Sequence, residues 1–142
     1  MQVRDLMNPG VVSITPGESA ALAARLMSRY NIGALPVCGS DGHLRGIVTD
    51  RDVVTRCIAA EEDPAQTPVR DIMTRNCTVV APEDDPREAT RLMAARQVRR
   101  LPVLDHGKLV GMVSLGDLAT SHAFDMETSK ALSEISEQVR KP

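Results

Sequence analysis

The sequence predicts an α/β (α+β) protein made of two tandem copies of one β-α-β-β-α unit. Residues 3–7, Val-Arg-Asp-Leu-Met, return at 69–73 as Val-Arg-Asp-Ile-Met, an offset of 66 residues. The same offset places the Leu-Pro-Val of 35–37 over that of 101–103. In each copy the apolar spacing changes from a short run to a helical period and back to short runs, which indicates strand, helix and then further strands.

Each copy begins with a short apolar stretch, at 11–14 and at 77–80. Pro16 and Pro82 follow at matched positions. Because proline lacks the N–H that a strand interior needs, we expect each stretch to form a strand that ends there.

A helix is predicted next in each copy. The apolar residues of the first lie at i, i+3, i+4 and i+7 and form one stripe, namely Ala23, Leu26, Met27 and Tyr30. The second copy repeats the spacing with Ala89, Leu92 and Met93.

Two β-like runs around a turn-rich loop follow the first helix in each copy and predict a hairpin. They cover 34–38 and 44–48 in the first copy, and 101–104 and 109–113 in the second. A second helix is expected after each hairpin, from about 50 to 60 and from about 115 to 123.

These elements divide the chain into copy one (1–62), a linker (63–68), copy two (69–122) and a helical C-terminal tail (123–142). A unit of about 60 residues buries too little surface to be comfortably stable alone, so we expect the copies to pack as one module. The tail carries a thin apolar stripe of Leu132, Ile135 and Val139. That stripe needs a partner, either the body of the protein or a second subunit.

Composition excludes several classes of function. The 142 residues carry 17 basic and 19 acidic side chains, a balance that argues against binding DNA mainly through its phosphates. One Tyr, one Phe and no Trp leave little on which unpaired bases could stack. The N-terminus lacks a signal peptide pattern, and no apolar run is long enough for a membrane span. We therefore expect a cytoplasmic protein that binds neither nucleic acid nor membrane.

No residue pattern predicts catalysis or metal binding. Cys38, Cys57 and Cys77 lie far apart without a CxxC motif, which is typical of reduced and mostly buried thiols. His43 and His106 fall in the hairpin loops, and no Cys, Ser or paired carboxylate recurs beside them. We expect no catalytic residue and no metal site.

The order of elements and the motifs together resemble a CBS-domain pair, also called a Bateman module, over residues 3 to about 120. The resemblance lies in the paired openings, the Leu-Pro-Val strands, and the Gly-x-Val-(Thr/Ser)-x-x-Asp endings at 46–52 and 111–117. The short stand-alone form is similar to the bacterial hypoxic response protein type. This resemblance implies tandem pseudo-twofold CBS repeats, no enzymatic activity, and a regulatory role in signalling or stress response.

The resemblance also implies two clefts that bind AMP, ADP, ATP or S-adenosylmethionine as a regulatory ligand, with no cofactor required. Carried over by position, Asp52 and Asp117 would accept hydrogen bonds from ribose hydroxyls. Thr49 and Ser114 would donate to phosphate oxygens at the start of a helix, where unpaired N–H groups also favour an anion. The adenine would lie against the first strand and the Leu-Pro-Val strand of each copy, at Thr15, Leu35, Val79, Ala81 and Leu101.

Arg100 matches the family position that pairs with phosphate, and its counterpart in copy one is Ala34. An arginine there could form a bidentate contact with phosphate. The resemblance therefore implies that the cleft of copy two prefers a charged phosphate. The cleft of copy one would be weaker, empty, or filled by something less anionic.

Two alternatives stay open. Thr-x-x-Asp and Ser-x-x-Asp at a helix start also resemble a capping box, and the hydroxyl can cap until a phosphate arrives. The protein could also be a ligand-independent interaction or scaffold protein that keeps the CBS fold. Whether the protein senses a ligand or acts as a scaffold, it must act by associating with another chain. We therefore expect a homodimer and an unidentified protein partner.

Overall fold

The computed structural model describes residues 1–120 and 130–135, and its chain divides into two compact units. The first unit is Val12–Cys77, and the second combines Met1–Val11 with the chain from Thr78 onward. These units do not coincide with the two sequence copies. Residues 3–7, the first opening segment, belong to the second unit, and residues 69–73, the second opening segment, belong to the first unit.

The first unit contains a helix, a hairpin and a second helix. Its elements are α1 (Ala20–Tyr30), β1 (Ala34–Cys38), β2 (Leu44–Thr49) and α2 (Asp50–Asp52), which continues as a π-helix (Val53–Ile58), and then a 3-10 turn (Val69–Asp71). Strands β1 and β2 are antiparallel, with Ala34 opposite Thr49.

The second unit repeats this plan. Its elements are a 3-10 turn (Val3–Asp5), α3 (Pro86–Arg96), β3 (Arg100–Asp105), β4 (Lys108–Ser114) and α4 (Leu115–Ala119), and residues 130–135 are helical. Strands β3 and β4 are antiparallel, with Arg100 opposite Ser114. The two predicted hairpins and the helices that flank them are confirmed, except that α4 ends at Ala119 and 121–123 of its predicted range lie outside the described residues.

The predicted first strands are much shorter than expected. In 11–14 only Ile14 forms a bridge, parallel to Val37, and in 77–80 only Val80 does, to Val103. Ile14 bonds with the backbone of two residues of β1, donating to Pro36 and accepting from Cys38. Because the chain turns away after this contact, towards the proline that follows, the pairing does not lengthen into a ladder.

The long helices begin at side-chain caps and end in left-handed residues. Ser19 accepts a hydrogen bond from the N–H of Leu22 at 3.1 Å, and Asn31 ends α1 with φ of 53°. Tyr30 does not join the predicted stripe: it is 48% exposed, and the Arg29 guanidinium lies 5.8 Å from its ring centre. Tyr30 is the last residue of the helix, and its side chain lies beyond the core.

Each unit has its own aliphatic core, and each core includes an opening segment. The buried residues of the first core are Ile14, Ala20, Ala23, Met27, Leu35, Val37, Val48, Val53, Cys57, Val69, Ile72 and Met73. Those of the second are Val3, Val80, Ala89, Met93, Leu101, Val103, Val113, Leu115, Leu118, Ala131 and Ile135. The opening segments are therefore parts of the cores and not peripheral arms.

Backbone hydrogen bonds hold the chain beyond each opening segment on the edge of a hairpin. Thr74 exchanges two bonds with Ile47 at 2.8 and 2.9 Å, and Asn8 exchanges two with Met112 at 2.8 and 3.0 Å. Glycine makes this approach possible, since a Cβ on Gly46 would lie 2.5 Å from the carbonyl oxygen of Thr74.

The cysteines and the tail agree in part with the predictions. All three cysteines are free; Cys38 and Cys57 are buried, and Cys77 is half-buried. Burial raises the pKa of the Cys77 thiol, as it does that of Cys38. In the tail, Ile135 packs into the second core whereas Leu132 is 40% exposed. Val139 and most of 123–142 lie outside the described residues.

Residues 1–120 and 130–135 contain neither a membrane-spanning helix nor a cluster of metal ligands. No helix in these ranges is both long and apolar enough to cross a membrane. No three His, Cys, Asp or Glu side chains within them come together as a metal ligand set.

Candidate functional site

A hydroxyl and a carboxylate form a complete capping box at the end of each hairpin. In the first unit, Thr49 Oγ1 accepts from the N–H of Asp52 at 3.0 Å, and the N–H of Thr49 donates to Asp52 Oδ2 at 2.9 Å. Ser114 and Asp117 form the same pair of bonds in the second unit, at 3.0 and 2.9 Å. The capping alternative is therefore realised in both copies, and it fixes the direction of both carboxylates.

Replacing Ser114 with Ala will lower the free energy of unfolding by about 1 kcal/mol, because the N–H of Asp117 loses its acceptor. Urea denaturation followed by circular dichroism measures the loss. Ser40→Ala, in an exposed turn, is the control and should leave stability unchanged. Equal midpoints for the two variants would contradict a stabilising role for the box.

A cavity of about 340 Å³ lies beside the second capping box, in the range of small-ligand sites. Its lining residues are Arg99, Arg100, Ser114, Leu115, Gly116, Ala119 and Leu132. The N–H of Leu115 donates to the carbonyl of Arg99 at 2.8 Å, which ties the start of α4 to the chain before β3. Two arginines and a serine thus line one space, and guanidinium and hydroxyl groups are donors suited to a phosphate.

The equivalent place in the first unit has the same backbone and different side chains. The N–H of Asp50 donates to the carbonyl of Gly33 at 2.9 Å, as Leu115 does to Arg99. Gly33 and Ala34 stand where the second unit has its two arginines. The Asp50 carboxylate lies beside them: Oδ1 accepts from the N–H of Arg51 at 2.8 Å, and Oδ2 would lie 3.2 Å from a Cβ on Gly33.

The two capping carboxylates also differ in their surroundings. The Asp52 side chain is only 10% exposed, and its Oδ1 lies 3.7 Å from Arg56 Nε. Arg56 Nη1 in turn donates to the carbonyls of Ile72 and Met73 at 3.2 and 3.3 Å. Asp117 is half-buried, and within the described chain no arginine or lysine forms a salt bridge with it.

The structure brings together only some of the residues that the sequence singled out. Arg100 and Ser114 line the cavity, and Asp117 is joined to Ser114. Leu35 and Leu101 are 0% and 1% exposed, so both are closed off in the cores and neither side chain is open to a ligand.

The remaining residues proposed for adenine contact lie away from the described cavity lining. Thr15 and Val79 are exposed, and Ala81 is half-buried with its N–H donating to Asp84 Oδ2 at 2.9 Å. Sequence reasoning missed Arg99, Leu115 and Gly116 as lining residues. Their signal was available, since they are the neighbours of Arg100 and the two variable positions of the Ser-x-x-Asp motif.

Comparison with known proteins gives the family context of this geometry. The model of the CBS domain matches the chain twice, at residues 3–58 and 69–122. The CBS domain-containing protein YhcV of Bacillus subtilis is 40% identical over 136 residues, covering 96% of each chain. Hypoxic response protein 1 of Mycobacterium tuberculosis is 38% identical over 116 residues, covering 82% of this chain and 81% of its own.

Solved structures share the fold. A crystal structure of Hypoxic Response Protein I with two coordinated zinc ions matches with a TM-score of 0.79 and 37% identity, covering 84% of this chain and 98% of that one. The CBS domain pair of protein MJ0100, in complex with 5-methylthioadenosine and S-adenosyl-L-methionine, matches with a TM-score of 0.74. Its identity is 24%, over 84% of this chain and 94% of that one, so this likeness concerns the fold alone.

Proposed function

The chain belongs to the CBS domain family, with two repeats in tandem, and we propose that it is a non-enzymatic regulatory protein that binds an adenine nucleotide in its second unit. The candidate ligands are AMP, ADP, ATP and S-adenosylmethionine. Binding would change the association of this protein with a second copy or with another protein. Stand-alone CBS proteins are regulatory modules, and the proposal adds the ligand and the place where it binds.

One observation carries the proposal: the cavity lined by Arg99, Arg100 and Ser114. Two exposed guanidinium groups beside a hydroxyl can neutralise and orient a phosphate through charge-assisted hydrogen bonds. Asp117 is held by the capping box next to that hydroxyl and can accept from ribose hydroxyls through its second carboxylate oxygen. A nucleotide supplies both groups at a short separation.

The described side chains define the contacts of the adenine base less closely than those of the phosphate and the ribose. Since Leu101 is buried, the base would lie against the apolar side chains of the cavity lining that are exposed, Ala119 and Leu132. The complex of MJ0100 with two adenosine-containing molecules is a precedent within the fold for ligands of this class.

A dye-based thermal shift tests the proposal with AMP, ADP, ATP and S-adenosylmethionine, and with GTP as the non-adenine control. A ligand at 100 times its dissociation constant stabilises the folded protein by about 2.7 kcal/mol. That corresponds to a rise in Tm of several degrees for a chain of this size. We expect one or more adenine compounds to raise Tm and GTP to leave it unchanged.

Replacing Arg100 with Ala should weaken the binding of a phosphorylated ligand about 10- to 100-fold, the effect of losing a hydrogen bond to a charged group. The matched control is Arg96→Ala, an exposed arginine at the end of α3 outside the cavity lining. Isothermal titration of both variants measures the difference. If no adenine compound binds the wild type, the ligand-independent scaffold becomes the better hypothesis, and the search turns to protein partners.

We also propose that the protein acts in the cytoplasm as a homodimer. The π-helix carries two large apolar side chains four positions apart, Val54 at 58% and Ile58 at 53% exposure. A second copy that covered them would remove apolar surface from water. Size-exclusion chromatography with light scattering tests the dimer, and a monomer at micromolar concentration would refute it.

A further inference from the structure

We infer that the two units differ in the charge of ligand they accept, so that each chain takes one phosphorylated ligand, in the second unit, while Asp50 closes the matching place in the first unit to anions. This inference rests on the proposed function and specifies its stoichiometry. It names Asp50 and Ala34 as the residues that set the difference.

The second unit and the first have the same backbone hydrogen bond at the start of α4 and of α2, but the charges around that bond differ. In the second unit, Arg99 and Arg100 line the cavity, and the one carboxylate joined to that lining by a hydrogen bond in the described chain is Asp117, through Ser114. In the first unit the aligned residues at the start of β1 are uncharged, since Gly33 and Ala34 replace the two arginines. A phosphate there would lack the two arginines that offset its charge in the second unit.

The position of the Asp50 carboxylate makes the first unit unfavourable for an anion. It accepts from the N–H of Arg51 at 2.8 Å and lies against Gly33, where the aligned residue of the second unit is Arg99. The backbone donor of Arg51 is thus already paired with a negative group. Asp50 also offsets the positive charge of the Arg51 side chain, so an incoming phosphate would meet a like charge at close range.

The capping carboxylates Asp52 and Asp117 differ in how their second oxygen is paired. Both oxygens of Asp52 have partners, because Oδ2 accepts from Thr49 and Oδ1 lies 3.7 Å from Arg56 Nε. Asp52 is therefore committed inside its own unit, and a ribose would have to compete with Arg56. Asp117 is half-buried and has no such arginine among the described residues, which leaves one oxygen for a ligand.

The test compares AMP with adenosine, which differ only by the phosphate, by isothermal titration of the full chain. Wild type should bind one AMP per chain. Arg100→Ala should weaken AMP binding about 10- to 100-fold and change adenosine binding much less, because the lost contact is to the phosphate. The double variant Ala34→Arg/Asp50→Leu copies two residues of the second unit into the first and should raise the stoichiometry to two AMP per chain.

Matched variants keep the outcomes distinct. Glu62→Gln removes an exposed carboxylate elsewhere in the first unit and should keep one AMP site. Asp50→Asn alone changes little volume and should admit weak AMP binding in the first unit. Circular dichroism and thermal unfolding confirm that each variant is folded.

Two AMP per wild-type chain would overturn the inference and leave the proposed function standing. A folded double variant that still binds one AMP would overturn the role of Asp50 and Ala34. Survival of the single AMP site in Arg100→Ala would place that site elsewhere and overturn the inference. No binding of AMP or adenosine to wild type would overturn the inference together with the proposed function.

Discussion

A fragment of residues 12–77 will fold cooperatively, whereas a fragment of residues 1–62 will not, although the second matches the sequence repeat. The physical reason is the exchange of opening segments. The first core contains Val69, Ile72 and Met73, which a fragment that ends at 62 lacks. In place of them it carries residues 3–7, whose Val3 belongs to the other core.

The missing contacts are large compared with the stability of a small unit. Burying one Val, Ile or Met side chain contributes about 1.5–3 kcal/mol. Three such losses approach or exceed the roughly 5 kcal/mol at the lower end of domain stabilities. The shorter fragment also loses the two backbone bonds between Thr74 and Ile47 and the bond from Val69 to Glu18 at 2.7 Å.

Far-ultraviolet circular dichroism during thermal unfolding measures this difference, with limited proteolysis as a second readout. We expect a sigmoidal transition and a protected core for 12–77, and a sloping trace with rapid cleavage for 1–62. Similar transitions for the two fragments would mean that the opening segments are dispensable, contrary to their burial.

Replacing Gly46 with Ala will destabilise the protein more than replacing Gly111 with Ala. A Cβ on Gly46 would lie 2.5 Å from the backbone carbonyl of Thr74 and 3.0 Å from Met73 Sδ. At Gly111 the nearest atom would be Met7 Sδ at 2.7 Å, the end of a flexible side chain, followed by the carbonyl of Asn8 at 3.1 Å. A methionine can move away, whereas a carbonyl that belongs to a backbone bridge cannot do so without breaking the bridge.

Overpacking of this kind costs about 1–3 kcal/mol, and we place Gly46→Ala at the upper end and Gly111→Ala at the lower. For a chain of this size each kcal/mol lowers Tm by about 2–4 °C. Thermal unfolding of both variants beside wild type measures the two shifts. A larger loss for Gly111→Ala would show that Met7 is held more rigidly than the backbone at Thr74.

The duplicated pattern explains how much of the fold could be predicted. Hairpins and helices are local, so alternation, turn residues and the stripe at Ala23 and Met27 were sufficient to place them. Because each strand, turn and helix pattern occurs twice at the same offset, each prediction was supported by two segments of the sequence. The prediction failed at Tyr30. This residue continues the helical period, but it is the last residue of α1 and is exposed, so the period alone did not determine its burial.

The exchange of opening segments could not be predicted, because sequence adjacency suggests that residues 3–7 pack on the copy they precede. The deciding facts are tertiary: a carbonyl of Thr74 beside Gly46, and one of Asn8 beside Gly111. The same limit explains the short first strands. An apolar run predicts burial, and the number of residues that pair depends on where the chain turns next.

The sequence predicted the Ser-x-x-Asp motif of the candidate site but missed several of the other residues that line the cavity. The resemblance identified Ser114 and Asp117 as site residues, and their spacing identified the capping box that they form. Leu101 was proposed for ligand contact from the resemblance, but β3 turns that side chain into the core. Arg99 lines the cavity through the fold of the loop before β3, which has no signature in the sequence beyond two adjacent arginines.

The exchanged opening segments also bear on how such a gene can change. A deletion that removed one copy at the boundary between 62 and 69 would take Val69, Ile72 and Met73 from the core of the surviving copy. Loss of one repeat at that boundary therefore damages the other, whereas a deletion of 12–77 would leave the second core with its own opening segment. A substitution in an opening segment will meet residues of the opposite repeat, so each copy constrains part of the sequence of the other.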